Sequence, residues 1–194
     1  MQAASTPVST HSGDREQAAH WARQLLRRAD WCILDTETTG LSSTSEIIQV
    51  AAVDATGNTL VDQLVRPTTP IDSGAAKVHG ITWDKVAGAN TFDLVFLDLM
   101  KAIGNRELII YNTSFDLRMI KQSLAVHGIY LHLPEKTWVN GQRIWCAMKA
   151  YSQWVGEPDR KGNSYKWQKL PGGDHSAVGD CSATLEVIRQ MSEG

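Results

Sequence analysis

The chain has 194 residues, of which 42% are hydrophobic and 21% charged, and its formal net charge is −2. This length supports one domain with a substantial core. Strong overall basicity, which is typical of tight, nonspecific nucleic-acid binders, is absent. This weakens such a role, but it allows an enzyme that meets phosphates through bound metal. No apolar run approaches the roughly 20 residues of a membrane span, and the N-terminus lacks an apolar signal core.

The three cysteines, Cys32, Cys146 and Cys181, are far apart in the sequence and lie in apolar surroundings. An odd number of scattered cysteines favours reduced core thiols over a disulfide or zinc framework. We therefore expect a cytoplasmic protein that does not associate with a membrane.

The first half of the chain predicts a helix followed by an antiparallel meander. Residues 1–13 are rich in Ser, Thr, Ala and Gln, and we expect a flexible tail there. Asp14 can cap an extra N-terminal helix over 14–28. Apolar runs bounded by turn residues then predict three strands joined by short connections, at 31–35, 46–54 and 59–66.

The second half mixes helices with a parallel crossover. Helical spacing of apolar residues predicts helices at 73–78, 91–103, 115–127 and 175–191, and 108–111 is typical of a buried strand. The segment 138–149 is ambiguous between a loop and a short strand, followed by a helix that ends near Val155, and 156–174 is loop-rich. The predicted fold class is α/β, a mixed sheet flanked by helices in a single domain over 14–194.

Two carboxylates mark the end of the first predicted strand. Asp35 and Glu37 are spaced two apart, so they project from the same face of a strand. Two like charges side by side raise one pKa unless something positive lies between them. A hard divalent cation with oxygen ligands is the simplest such group.

Two further acids and a histidine lie at the predicted helices. By helical spacing, Asp116 and Asp180 lie on or beside faces that pack inward, where an unpaired carboxylate is costly. Taken alone, each can also be a cap, a surface charge or the partner of a buried arginine. His175 would lie about 140° from Asp180 on a continuous helix, so we expect it in the loop or cap before that helix. There it is either a surface residue or a group that swings over a metal site.

These residues fall in three segments, Asp35-Thr36-Glu37-Thr38-Thr39-Gly40-Leu41, Tyr111-Asn112-Thr113-Ser114-Phe115-Asp116 and His175-Ser176-Ala177-Val178-Gly179-Asp180. Together with Val78-His79-Gly80-Ile81-Thr82, they resemble the motifs of the DEDDh group of exonucleases. That group includes the proofreading epsilon subunit of bacterial replicative DNA polymerase. The resemblance spans about 31–191 and implies a ribonuclease H-like fold.

The resemblance implies a metal-dependent 3′→5′ exonuclease that hydrolyses DNA 3′ ends and releases nucleoside 5′-monophosphates. By it, Asp35, Glu37, Asp116 and Asp180 would hold two Mg²⁺ or Mn²⁺ ions, with Asp35 bridging them, and His175 would be the general base. The chemistry agrees, because two cations about 3.5–4 Å apart activate a water and neutralise the leaving group. The alternatives are the same chemistry on RNA ends and a noncatalytic interaction module that keeps the fold.

The same resemblance implies a set of residues around the terminal nucleotide: Thr38, Thr39, Gly40, Leu41, His79 and Asn112. Other interpretations stay open, namely an ordinary Thr-Gly turn, a His-Gly pair that ends a helix, and an asparagine that only caps one. The group often has His-Asn in its second motif, where this chain has Tyr111-Asn112. This departure leaves the substrate contact at that position open.

The loop at 156–173 interleaves basic and aromatic side chains: Arg160, Lys161, Tyr165, Lys166, Trp167 and Lys169. Positive charge beside aromatic faces suits a single nucleic-acid strand, and a solvated loop with packing aromatics is the alternative. We expect single-stranded or frayed 3′ ends as the nucleic-acid partner. A polymerase subunit or a second copy of the chain is a candidate protein partner.

Overall fold

The computed structural model describes residues 11–132, 137–139 and 141–194, and these contain a five-stranded sheet in the order β3-β2-β1-β4-β5. The strands are β1 Trp31–Thr38, β2 Ile47–Asp54, β3 Thr59–Leu64, β4 Glu107–Ile110 and β5 Ile144–Cys146. Strand β2 pairs antiparallel with both β1 and β3, whereas β4 pairs parallel with both β1 and β5. The predicted mixed sheet, a meander joined to parallel crossovers, is confirmed.

The helices of this part of the chain are α1 His11–Leu26, α2 Ser73–His79, α3 Trp83–Val86, α4 Phe92–Ile103, α5 Thr113–Ala125, α6 Ala147–Val155 and α7 Ala177–Glu193. The helix α3 was not predicted, because four residues are too few to show a 3.6-residue pattern. Of the predicted tail, 1–10 lies outside the described residues and 11–13 belongs to α1. The ambiguous segment before Val155 forms β5 and α6.

Strand β1 divides the core, because its side chains alternate between the two faces of the sheet. Cys32 and Leu34 pack among residues of α4 and α5, whereas Trp31 and Ile33 pack among residues of α1, α6 and α7. Complete burial of an aliphatic side chain of this size contributes about 1.5–3 kcal/mol. The same alternation continues past Leu34, so it decides which helix each polar residue of the strand meets.

One edge of the sheet collects the carboxyl ends of β1, β4 and β5, because these strands are parallel. Helix α5 begins just after β4 and α6 directly after β5. In α/β sheets this is the edge at which ligands bind. Cys32, Cys146 and Cys181 are free thiols. No helix in the described ranges has the length and apolarity needed to cross a membrane.

Candidate active site

Asp35, Glu37 and Asp180 meet at this edge of the sheet. Strand β1 continues to Thr38, so Asp35 and Glu37 stand on one face of it, the face that packs against α7. Asp180 lies in the first turn of α7. Carboxylate oxygens of the three residues all lie within 4.8 Å of one another. The structure therefore brings together three of the four predicted ligands in one tight cluster.

Asp116 approaches the cluster from the opposite face of the sheet. Thr36 points toward α5, and its hydroxyl donates a 2.8 Å hydrogen bond to Asp116 Oδ1. Asp116 is only 3% exposed, and burial raises the pKa of its carboxyl above the ordinary value, although the Thr36 hydroxyl opposes that shift. Asp116 is close enough to repel the charge of Asp35. It is not one of the three acids that converge within 4.8 Å, so it stands at the margin of the cluster.

The carboxylates of the cluster disfavour their own ionisation. Burial, and then repulsion by Asp116, Asp180 and Glu37, raises the pKa of Asp35 well above its usual range. Burial and the neighbouring acids likewise raise the pKa of Glu37 to about 8. Burial is also the main cause of the raised pKa of Asp180. These shifts identify a site where negative charge is concentrated without compensation.

The donor set of this cluster fits a divalent cation. Its atoms are carboxylate oxygens, which hard cations such as Mg²⁺ and Mn²⁺ prefer. None of the ion pairs between described residues involves the cluster or Asp116. A bound cation would relieve the mutual repulsion that raises the pKa values. The residues that could hold it are Asp35, Glu37 and Asp180, with Asp116 beside them.

His175 lies in the loop immediately before α7, as its spacing from Asp180 predicts. Its backbone has φ of 60°, and its backbone N–H donates to Asp180 Oδ1 at 3.1 Å. The Ser176 hydroxyl caps the helix by accepting from the N–H of Gly179. The residue is exposed, so its imidazole is free to approach a molecule bound at the carboxylates. Loop geometry rather than helix geometry therefore places this side chain.

The turn after the carboxylates is tightly bonded to itself. The Thr38 hydroxyl donates to the carbonyl of Gly40 at 2.8 Å, and the Thr39 hydroxyl accepts from the N–H of Glu46 at 3.0 Å. A side chain at Gly40 would place Cβ 2.3 Å from Asp72 Oδ2, so glycine is required there for close packing. Leu41 is 77% exposed beside this turn. Of the predicted nucleotide contacts here, Leu41 is the one whose side chain stands open to solvent.

His79 is held by the protein backbone at both ring nitrogens. Nδ1 accepts from the N–H of Ile81 at 3.0 Å, so Nε2 carries the proton and donates to the carbonyl of Thr38 at 3.2 Å. Burial, opposed by the Thr38 carbonyl, lowers the pKa of this imidazole. The side chain fastens the end of α2 to the end of β1. It thus lies beside the predicted nucleotide pocket, with its polar atoms already engaged.

Asn112 occupies the N-cap position of α5, between β4 and Asp116. Its side chain makes no capping hydrogen bond. Its amide is only partly buried at the edge where β1 and β4 end. The side chain therefore gives no support to the simple capping interpretation, and the contact of Asn112 with a nucleotide stays a prediction.

Tyr111 anchors the long segment that leads to His175. Its hydroxyl donates to the carbonyl of Gln168 at 3.0 Å, and the ring is 8% exposed. Farther out, the Tyr165 hydroxyl donates to Asp14 of α1, and Lys166 pairs with Glu157 at 2.8 Å. Part of the basic and aromatic character noted at 156–173 therefore serves packing, while Trp167 remains 66% exposed.

Sequence reasoning missed Thr36 and Glu46 as residues that shape the site. The sequence marks Thr36 only as the residue between Asp35 and Glu37, yet its hydroxyl holds the Asp116 carboxylate. Glu46 is 3% exposed, and its N–H and carbonyl both bond to Thr39. The alternation of β1 could have assigned Thr36 to the α5 face. No sequence signal distinguishes Glu46 from a surface acid before a strand.

Comparison with known proteins places the chain in a family. Residues 32–188 match the family model described as Exonuclease (RNase_T). The chain belongs to this exonuclease family, and it is a nuclease. The resemblance to DEDDh exonucleases is thereby confirmed.

Particular relatives refine this placement. The chain is 34% identical over 177 residues to the uncharacterized exonuclease CP81 of Escherichia phage 186, covering 85% of this chain and 89% of that protein. It is 34% identical over 104 residues to the DNA polymerase III subunit epsilon of Buchnera aphidicola, covering 48% of this chain and 45% of the subunit. Exonuclease X, solved in complex with 5′ overhanging duplex DNA, is 26% identical, with a TM-score of 0.57 over 84% of this chain and 93% of that one.

Proposed function

We propose that the protein is a divalent-metal-dependent 3′→5′ exonuclease that removes nucleoside 5′-monophosphates from DNA ends, with single-stranded or frayed ends preferred. The observation that carries this proposal is the convergence of Asp35, Glu37 and Asp180 within 4.8 Å, with no cationic side chain among the described residues paired to them. A family of exonucleases supplies the reaction class. The similarity to Exonuclease X, solved with DNA, favours DNA as the substrate.

The carboxylates have the role of holding Mg²⁺ or Mn²⁺. Asp35 is central, because the charges of Glu37, Asp116 and Asp180 all act on it. Two such ions, when bound, supply Lewis-acid activation of the attacking water and neutralise the departing oxygen. Thr36 keeps the Asp116 carboxylate oriented toward the same edge.

His175 has the role of general base. An imidazole accepts a proton near neutral pH, and this one is exposed on the residue whose N–H touches Asp180. The bond from its N–H fixes the backbone, while the side chain keeps rotational freedom. His175 can thus take the proton of the attacking water at the carboxylate cluster.

The turn at 38–41 and Asn112 would receive the terminal nucleotide. The exposed Leu41 offers an apolar surface for the base, and the buried Thr38 and Thr39 keep the backbone of the turn in place. His79 has an indirect part, since its ring bonds to the carbonyl of Thr38. We also propose that 14–194 forms one exonuclease domain, in which α1 precedes the region matched by the family model.

Digestion of a 5′-labelled single-stranded DNA oligomer with Mg²⁺ tests this function. We expect a ladder that shortens from the 3′ end, with nucleoside 5′-monophosphate as the product. Asp35→Ala and His175→Ala should each abolish most of this activity, and Asp84→Ala, an exposed acid outside the site, serves as the control. Immediate release of the labelled nucleotide, internal cleavage, or undiminished activity of both site variants would contradict the proposal.

The RNA alternative is tested with one additional substrate. A matched RNA oligomer differs by its 2′-hydroxyl, the group by which proteins tell RNA from DNA. Faster digestion of RNA would make the protein an exoribonuclease with the same site. Calorimetric titration with Mn²⁺ addresses the noncatalytic alternative, because a chain without metal affinity would retain only the fold. The relative among epsilon subunits makes a polymerase subunit the protein partner that we propose to test first.

A further inference from the structure

A groove crosses the open edge of the sheet beside the active site. Strand β5 forms its floor, α5 forms one wall, and α1 and α6 form the other. The groove has a volume of about 1070 Å³, and none of the site carboxylates lines it. Its lining contains Arg118, Lys121, Arg143 and Lys149 and, among the described residues, no Asp or Glu.

This lining departs from the charge balance of the chain. The sequence has 19 Lys and Arg against 21 Asp and Glu, so a groove whose charged described residues are all basic is a local segregation of charge. Arg118, Arg143 and Lys149 are exposed, and none of them takes part in an ion pair with a described residue. Positive charge that is concentrated in a concave surface attracts anionic ligands and raises their association rate.

The groove lies next to the site on α5. Thr113, Ser114 and Leu117 line it, and they share the first turns of α5 with Asp116. The Arg118 guanidinium, on the next turn, donates to the carbonyl of Ser42, which directly follows Leu41. Arg118 therefore stands between the groove and the turn proposed to receive the terminal nucleotide. A nucleic-acid strand whose 3′ end lies at the carboxylates can therefore meet the basic side chains of the groove with the nucleotides on its 5′ side.

We propose that this groove binds the phosphodiester backbone of the substrate strand on the 5′ side of its terminal nucleotide. The proposal rests on the nuclease function proposed above and adds a second binding region to it. Trp21 and Trp145, with ring centroids 6.1 Å apart, line the groove near α1. Basic side chains beside aromatic faces are the usual means of holding a single strand without regard to its sequence.

A peptide strand added to β5 is the other occupant that the geometry suggests. Strand addition relies on a ladder of main-chain hydrogen bonds. Strand β5 has only three residues, and the Trp145 carbonyl already accepts a 3.4 Å hydrogen bond from the Thr113 hydroxyl. The basic side chains of the lining do not favour a neutral peptide. The charge therefore favours a polyanion, and the strand of the substrate is the polyanion that the neighbouring site handles.

Charge reversal tests the groove apart from the site. The variant Arg143→Glu/Lys149→Glu is compared with Arg27→Glu/Lys101→Glu, which changes the net charge equally at exposed residues outside the groove. Fluorescence anisotropy with a single-stranded DNA of about 12 nucleotides, in EDTA to prevent hydrolysis, gives Kd. We expect Kd to rise at least about tenfold relative to the control variant, and the salt slope of log K to fall by about 0.7 for each lost contact. Equal affinity of the two variants would overturn the proposal.

Two further measurements separate the groove from the site and from other anions. The p-nitrophenyl ester of thymidine 5′-phosphate reaches only the active site, so the groove variant should hydrolyse it at the rate of the control while its KM for the oligomer rises. An equal loss on both substrates would overturn the groove as a separate binding region. If a labelled polyglutamate peptide bound as tightly as the oligomer, the proposal would be overturned, and the occupant of the groove would be an acidic protein segment. Failure of the unaltered protein to hydrolyse either substrate would refute the proposed nuclease function. The anisotropy measurement would still show whether the groove binds single-stranded DNA.

Discussion

Glu46 and the acidic cluster lie at the same end of the sheet, but their surroundings are opposite. The carboxylate of Glu46, just before β2, accepts hydrogen bonds at 2.8–3.0 Å from the N–H groups of Thr68 and Thr69 and from the Thr68 hydroxyl. Asp35 and Glu37, on the neighbouring strand, instead face other carboxylates. The carboxylate of Glu46 is hydrogen-bonded to several donors, whereas Asp35 and Glu37 lie beside other negative charges.

This difference distinguishes a structural acid from the acids that we propose to bind metal. Buried polar groups in native proteins normally have partners, so a buried carboxylate with three donor groups needs no further explanation. Carboxylates that repel one another at short distance are destabilising by themselves, and a bound cation would relieve that repulsion. The contrast between Glu46 and the cluster can therefore be tested by removing charge from each.

Glu37→Gln should give the largest effect. The amide keeps the size of the side chain and removes one negative ligand, so kcat on a DNA oligomer should fall by about a hundredfold or more. The same change relieves repulsion within the cluster, so the metal-free protein should unfold at a higher denaturant concentration. Steady-state kinetics and urea denaturation measure the two effects. A variant that lost stability together with activity would show that Glu37 is a structural acid like Glu46.

Glu46→Gln should reverse that pattern. The amide cannot accept from all the donors of Thr68 and Thr69, so the free energy of unfolding should fall by about 2 kcal/mol. Asp84→Asn, at an exposed acid, should change it by less than about 0.5 kcal/mol and serves as the matched control. Activity should decline less than in Glu37→Gln, because Glu46 acts on the site only through its backbone bonds to Thr39. Unchanged stability would remove the basis of the comparison.

The pH dependence of stability gives a further test, of intermediate size. The pKa of Glu37 is about 8 in the folded protein against an ordinary value of 4.5. Between these values the folded state binds the proton that the unfolded state has released, so stability is highest near the lower value and falls as pH rises toward the upper one. In EDTA, the free energy of unfolding should drop by about 1 kcal/mol or more across this range. Added Mg²⁺ should restore it at the upper end, and a rise in stability with pH would contradict the charge cluster.

Tyr111→Phe calibrates these effects against the loss of one neutral hydrogen bond. The change removes the hydroxyl that holds the Gln168 carbonyl and leaves the ring packed. The free energy of unfolding should fall by about 1 kcal/mol, which is the usual net value of such a bond. Because the anchored segment carries His175, kcat should also fall a few-fold. A loss of stability as large as that of Glu46→Gln would mean that the charged bonds of Glu46 are worth no more than neutral ones.

Local patterns in the sequence predicted most of the fold and the main acids of the site. Alternation along β1 put Asp35 and Glu37 on one face, and the spacing to Asp180 placed His175 in a loop, because both depend only on the geometry of one element. The bond from Thr36 to Asp116 crosses two elements, and the basic groove draws on four of them. The donors around Glu46 come from residues 22 and 23 positions away. Such pairings depend on tertiary packing, which residue spacing within one element does not encode.

The backbone of His175 has a practical consequence. Among the described residues it is the one non-glycine side chain held at positive φ, a region that disfavours a Cβ by about 1 kcal/mol or more. A glycine there would relax the chain and delete the imidazole in a single step. Given the general-base role proposed above, His175→Gly is a natural starting point for a more stable, inactive variant with which to capture a bound oligonucleotide for crystallography.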